Sequence, residues 1–130
     1  MSPGFPVRAA WAYNNLNRVP RAKPPCMKDL LDAMRRGCLE DVAATCYNAL
    51  EFAICDKFPL VDMIRDFLLE SGCLTAHISG SGPTVYGLCR PEKGHCIRTA
   101  AEVHFADTCQ VWETSISASP KVRQPTPGME

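Results

Sequence analysis

The chain has 130 residues, 46% of them hydrophobic, and its fourteen basic and fourteen acidic side chains give a formal net charge of zero. That length suits one domain with a real core, and the charge balance argues against a broad electrostatic footprint for nucleic acid or an anionic membrane, so neither is expected as a partner. No apolar run approaches the roughly 18 residues that a membrane helix needs, and the first four residues lack the charged and apolar regions of a signal peptide, which predicts a cytoplasmic protein.

From the N-terminus, residues 1–8 hold Phe5 and Val7 among two prolines and predict a short or edge strand, because proline cannot donate to an interior ladder. Ala9, Ala12, Tyr13 and Leu16 follow at helical spacing and predict one short helix. Residues 17–25 carry three prolines with Arg18, Arg21 and Lys23, which reads as a solvated basic loop. Residues 28–36 place Leu30, Leu31 and Met34 on one face, end in two arginines that suit the negative end of a helix, and stop at Gly37. Glu40 and Asp41 favour the start of the next helix. Val42, Cys46, Ala49, Leu50 and Ala53 then give one continuous core-facing stripe. Pro59 opens a further helix with Leu60, Ile64, Phe67 and Leu68 inward and Gly72 as its stop, which leaves Asp62, Arg65 and Asp66 on the wet side.

Leu74, Ala76 and Ile78 alternate with Thr75, His77 and Ser79 at the period of a half-buried strand, and residues 84–89 predict a second. Pro91 starts a helix with Ile97, Ala100 and Ala101 facing in, and residues 108–114 supply a last strand. The order is β, several helices, β, β, α, β. This predicts an α+β fold: a ferredoxin-like split βαβ layout with extra helices inserted in the first crossover, and one sheet covered on one face by helices. Residues 1–114 form the domain, and residues 115–130, small, polar and proline-rich, read as a disordered tail.

The eight cysteines never form C-x-x-C and most fall in apolar periodic segments, where a reduced thiol acts as a small hydrophobe. Cys89, His95 and Cys96 are the one cluster with metal-binding side chains, and their spacing matches none of the usual zinc pairs, so no metal site is expected in this chain. His77 is a candidate general base; a lone strand histidine is more often a satisfied or surface residue.

Ser79-Gly80-Ser81-Gly82-Pro83-Thr84 separates two apolar runs with residues that do not belong in a core. Two glycines allow positive φ, and Pro83 fixes its own φ while removing a donor, so the loop is bent and stiff. Its amides and three hydroxyls suit an anion-accepting nest, and its chemistry equally fits a tight connection between two strands. The pattern is neither G-x-G-x-x-G nor a P-loop, and a strand rather than a helix follows it.

Taken in order, Asn48-Ala49-Leu50-Glu51, Phe58-Pro59, Leu68-Leu69-Glu70-Ser71-Gly72, and the run from Ile78 through the glycine loop to Leu88 resemble the C-terminal part of a GHMP-superfamily small-molecule kinase. Within that superfamily the pattern is closest to the 4-diphosphocytidyl-2-C-methyl-D-erythritol kinases of non-mevalonate isoprenoid biosynthesis. The resemblance covers residues 3–114 and implies a ferredoxin-like domain and phosphorylation of a hydroxyl on a diphosphocytidyl sugar alcohol, with ATP and Mg2+ as cofactors of the full-length enzyme. It also implies that Ser79, Gly80, Ser81, Gly82 and Thr84 border the phosphate-bearing end of the substrates. The stretch from Val7 to Tyr13 is similar to a family segment whose aromatic stacks on the cytosine ring. That makes Tyr13 the base-stacking residue by resemblance, while its spacing alone equally fits a core tyrosine. Arg8 and Ala9 replace a Ser-Thr pair there, and Arg8 is a candidate phosphate contact instead.

The family's ATP loop and its catalytic aspartate and lysine have no counterpart in these residues. No catalytic residue is therefore expected in this chain, and an N-terminal kinase domain, in cis or in trans, is its expected partner. A non-catalytic ferredoxin-like module for ligand binding or assembly is the alternative.

Overall fold

A computed structural model describes residues 1–16 and 23–116. Arg18, Arg21 and residues 117–130 of the expected tail lie outside the described residues.

Among the described residues ten elements follow in chain order: β1 (Ser2–Pro3), α1 (Ala9–Asn14), α2 (Met27–Arg36), α3 (Leu39–Thr45), α4 (Glu51–Lys57), α5 (Pro59–Glu70), β2 (Thr75–Ile78), β3 (Val85–Leu88), α6 (Pro91–Phe105) and β4 (Cys109–Gln110). A 3-10 turn, Ala106–Thr108, links the last two. Helices and small antiparallel sheets are the α+β composition expected from the sequence.

The strands pair as two ladders rather than along one continuous sheet. β1 runs antiparallel to β4, and β2 runs antiparallel to β3 with Ile78 opposite Val85. Between the ladders, the Met1 nitrogen donates to the Val85 carbonyl at 2.7 Å and the Val85 nitrogen returns a bond to the Met1 carbonyl at 2.8 Å. Such a reciprocal exchange is the hydrogen-bonded pair of an antiparallel ladder.

Helix stops follow the glycines. Gly37 donates to the Met34 carbonyl and Cys38 to that of Ala33, while Gly72 donates to Leu69 and Cys73 to Leu68. Both ends are therefore Schellman closures, which satisfy carbonyls that the helix itself leaves open.

Three sequence expectations are corrected and a fourth is narrowed. The short strand expected within residues 1–8 is Ser2–Pro3, and Phe5 lies outside it, stacked on Phe58 with ring centroids 5.2 Å apart. The single helix predicted across residues 40–53 is two, because Thr45 turns its hydroxyl back onto the carbonyls of Asp41 and Val42 and Cys46 adopts extended backbone. Asn48 then accepts from the Leu50 nitrogen, a local side-chain bond that competes with helix propagation. The buried residues of this pair are consequently Ala43, Leu50 and Ile54, with Ala49 exposed. Ala100 also lies outside, and the inner face of α6 is Ile97, Ala101 and Phe105. The last strand is confined to Cys109–Gln110, with Cys109 buried and Val111 packed against the core.

The core is continuous. Ile54, Val61 and Ile64 from α4 and α5 meet Ile78 and Val85 from the β2–β3 pair, and all five are fully buried. They lie beneath one end of the hairpin, so the connection between β2 and β3 rests on fully buried side chains. No buried side-chain nitrogen or oxygen among the described residues lacks a hydrogen-bond partner. All eight cysteines are free; burial pushes the Cys55 and Cys73 thiols up to about 11, so both stay protonated at neutral pH. No helix among the described residues is long and apolar enough to cross a membrane.

Candidate functional site

The connection between β2 and β3 is a closed turn. Ser79 donates to the Thr84 carbonyl at 2.8 Å, and Gly82 donates to the Ser79 carbonyl at 3.0 Å. Gly80 and Gly82 hold φ of 58° and 75°, values that disfavour any residue with a Cβ. At Gly82 the restriction is also steric, since a Cβ would lie 3.0 Å from Ile78 Cγ2 with Ile54 just beyond. The glycine there lets the backbone settle onto the core.

Beneath the loop lies a polar frame. The Asn48 side-chain amide donates to the carbonyls of Ile78 and Gly80 at 2.7 and 2.8 Å. Glu51, at the start of α4, accepts the Ile78 nitrogen at 2.9 Å on Oε1 and the His77 Nδ1 at 3.1 Å on Oε2. Arg65 of α5 meets Glu51 Oε1 at 3.3 Å through Nε and Asp62 at 3.0 Å through Nη1, and Nε also reaches the Ala76 carbonyl at 3.4 Å. Burial works against the Arg65 charge, yet the Glu51 carboxylate, the Cys55 sulfur and Asp62 together hold its pKa above the ordinary arginine value. The guanidinium thus stays charged and ties α4, α5 and β2 together at the entry to the loop.

This arrangement decides several sequence readings. His77 is half-buried, with its Nδ1 3.1 Å from the Glu51 carboxylate. Arg65 is not on the wet side: its side chain is 22% exposed and turned into the frame. Asn48, Glu51 and Arg65 are the residues that local reasoning missed as loop supports. The available signal was the Asn48-Ala49-Leu50-Glu51 stretch itself, a side-chain amide off the apolar stripe with a carboxylate three residues on.

The loop residues Ser79, Gly80, Ser81, Gly82 and Thr84 are brought together. Ser79 and Gly80 are exposed and the others half-buried. Thr84 Oγ1 also donates to Ser2 Oγ at 3.2 Å, which anchors the far end of the loop to β1. The amides of Gly80, Ser81 and Thr84 have no partner among the described residues, whereas those of Ser79 and Gly82 are used internally. Several open main-chain donors beside hydroxyls, with no carboxylate at the surface of the turn, suit an anion.

Tyr13 is separate from this constellation. Its ring on α1 is 62% exposed, which removes it from the core, and no hydrogen bond or ring contact joins it to the loop among the described residues. Its neighbour Trp11 turns inward instead, edge-on to Phe58 with the Lys57 ammonium 4.2 Å from its ring. Arg8 is exposed at the start of α1, where its carbonyl accepts from the Ala12 nitrogen.

Among the described residues no three His, Cys, Asp or Glu side chains converge on a point that would hold a metal ion.

Comparison with known proteins matches residues 26–101 to the family model described as GHMP kinases C terminal. A 4-diphosphocytidyl-2-C-methyl-D-erythritol kinase of Pelobacter propionicus is 35% identical over 94 residues, which is 72% of this chain and 32% of that protein. Kinases of the same name from Geobacter sp. strain M21 and Citrifermentans bemidjiense are 37% and 34% identical over 101 and 103 residues. Those alignments cover 78% and 79% of this chain and 34% and 35% of the relatives. The chain spans about a third of the length of the curated relatives it matches.

Proposed function

Since the chain belongs to the GHMP kinase family through that family's C-terminal domain, we propose that it forms the substrate-side wall of a kinase acting on 4-diphosphocytidyl-2-C-methyl-D-erythritol in isoprenoid precursor synthesis. The observation that carries the reading is the glycine turn, with the open amides of Gly80, Ser81 and Thr84 on a rigid support. Preorganised main-chain donors of this kind lower the cost of bringing a diphosphate to a fixed position, because they need no reorganisation when charge arrives. Gly80, Ser81 and Gly82 then line the phosphate end through their backbone, with Ser79 and Thr84 beside them. Tyr13, exposed on α1, supplies the aromatic surface on which the cytosine ring stacks.

In the same reading the two ladders form one ferredoxin-like sheet in the order β4-β1-β3-β2, with the Met1–Val85 pair as its central seam. Helices α2 to α4 are the insertion in its first crossover, and residues 1–114 are the domain.

Phosphoryl transfer needs cations to offset charge on the moving group and a residue to handle the attacking hydroxyl. In this reading ATP, Mg2+ and the catalytic base are supplied by an N-terminal kinase domain acting in cis or in trans. ATP with its metal supplies the transferred phosphoryl group, and this chain binds and orients the acceptor.

The test is a chimera that joins this chain to the remaining, N-terminal part of the Geobacter relative. It is expected to phosphorylate 4-diphosphocytidyl-2-C-methyl-D-erythritol with ATP, while the 130-residue chain alone consumes none. A chimera that folds and binds ATP but leaves this substrate unchanged would count against the assignment, as would ATP consumption by the isolated chain.

A further inference from the structure

Asn48 lies 30 residues from the hairpin in sequence, yet all three of its side-chain bonds serve the turn or the helix that supports it. Oδ1 accepts from the Leu50 nitrogen at 3.0 Å, which turns the chain into α4, and Nδ2 donates to the Ile78 and Gly80 carbonyls. These contacts fix the amide's orientation: the flipped form would set an oxygen against two carbonyl oxygens and an NH2 against an N–H.

The consequence lies on the other side of the peptide plane. In a trans peptide the carbonyl and the following N–H point in opposite directions, so drawing the Gly80 carbonyl toward Asn48 turns the Ser81 N–H away from it. The Ser79 carbonyl, occupied by the Gly82 nitrogen, turns the Gly80 N–H outward in the same manner. That second orientation is internal to the turn. The first depends on one side chain, and the peptide it holds follows a glycine at φ 58°, where rotation meets little steric resistance.

We propose that Asn48 is a positioning residue for anion binding: by holding the Ile78 and Gly80 carbonyls it keeps the Ser81 amide open to a phosphate oxygen without touching the ligand. The inference rests on the phosphate reading of the loop. Released from Asn48, the Gly80–Ser81 peptide is free to rotate and present its carbonyl oxygen to the anion, which replaces attraction by repulsion. Asparagine fits the position because it combines two donors for the carbonyls with one acceptor for Leu50; aspartate keeps the acceptor and the shape but loses both donors.

The test uses the 15N-labelled 130-residue chain titrated with inorganic pyrophosphate. In the wild type the Gly80 and Ser81 amides are expected to shift in a saturable way, and the Asn48 side-chain NH2 protons to exchange more slowly once pyrophosphate is bound. N48D is expected to bind about tenfold more weakly, the loss of one well-placed charge-assisted bond, with its residual shift at Gly80 rather than Ser81. Lowering the pH until the introduced carboxyl is protonated restores one donor and part of the affinity. N48A has no donor and shows no such recovery.

Should both variants unfold, the wild-type NH2 exchange still decides. Protons that exchange at the free-solvent rate while pyrophosphate occupies the loop overturn the inference. Wild-type binding that N48D matches, with the same Ser81 shift, overturns it as well and leaves the phosphate reading intact. A wild-type chain whose loop does not respond to pyrophosphate overturns the phosphate reading itself.

Discussion

Replacing Ile54 by alanine is expected to destabilise the chain by about 2–5 kcal/mol, the cost of deleting a fully buried aliphatic side chain whose surroundings relax only in part. Ile54 is completely inaccessible to solvent and packs in one cluster with Val61, Ile64, Ile78 and Val85. It also lies against the underside of the glycine turn, with two of its carbons within 3.8 Å of where a Gly82 Cβ would be. The cavity therefore opens beneath the turn as well as between α4 and α5. Urea unfolding of I54A should show a midpoint lowered in proportion, with an unchanged dependence on denaturant. Phe52, two residues away and 59% exposed, serves as the control: F52A should stay within about 0.5 kcal/mol of the wild type. An I54A loss below about 1 kcal/mol would mean that the turn does not rest on this core.

The second large effect is expected at Glu51. E51A removes the acceptor of the Ile78 nitrogen and of His77 and leaves Arg65 without its most buried carboxylate partner. Breaking a well-buried charged pair costs about 3–5 kcal/mol. The Glu51 and Arg65 side chains are 14% and 22% exposed, so water relieves part of that penalty and about 2–3 kcal/mol is expected, in the range of hydrogen bonds to charged groups. E51Q retains an oxygen for the Ile78 nitrogen and should lose about half as much. Hydrogen exchange at the Ile78 amide separates the two, with strong protection lost in E51A and largely kept in E51Q. Equal, small losses in both variants, below about 0.5 kcal/mol, would show that the frame does not hold the strand.

The β2–β3 hairpin and its turn were legible in the sequence because two local signals agree there: apolar alternation on either side, and a six-residue interruption rich in glycine, serine and proline. Helices α2 and α5 were legible for a similar reason, each ending at a glycine that closes it. The division between α3 and α4 was not. Its apolar residues keep helical spacing straight across the break, and the determining bonds, Thr45 onto Asp41 and Val42 and Asn48 onto Leu50, are choices of side-chain rotamer rather than of periodicity.

Arg65 was misplaced by the same limitation. Its position on α5 gives a polar face, but a long side chain can turn along that face to a carbonyl and a carboxylate supplied by other elements. The strand ends were shorter than alternation predicts because β1 and β4 pair over only two residues each, and pairing length is set by the partner strand. Of the candidate site, the turn itself was readable locally. Its supports were not, since Asn48 and Glu51 approach it from about thirty residues away.

In the proposed site the Gly80 and Ser81 amides are the atoms that meet a phosphate. The most direct measurement is their 15N–1H shift in the wild-type chain as cytidine diphosphate is added. Saturable shifts centred on residues 79–84, competed away by pyrophosphate, are predicted. Shifts confined to other elements, or a turn unaffected at saturating nucleotide, would contradict it.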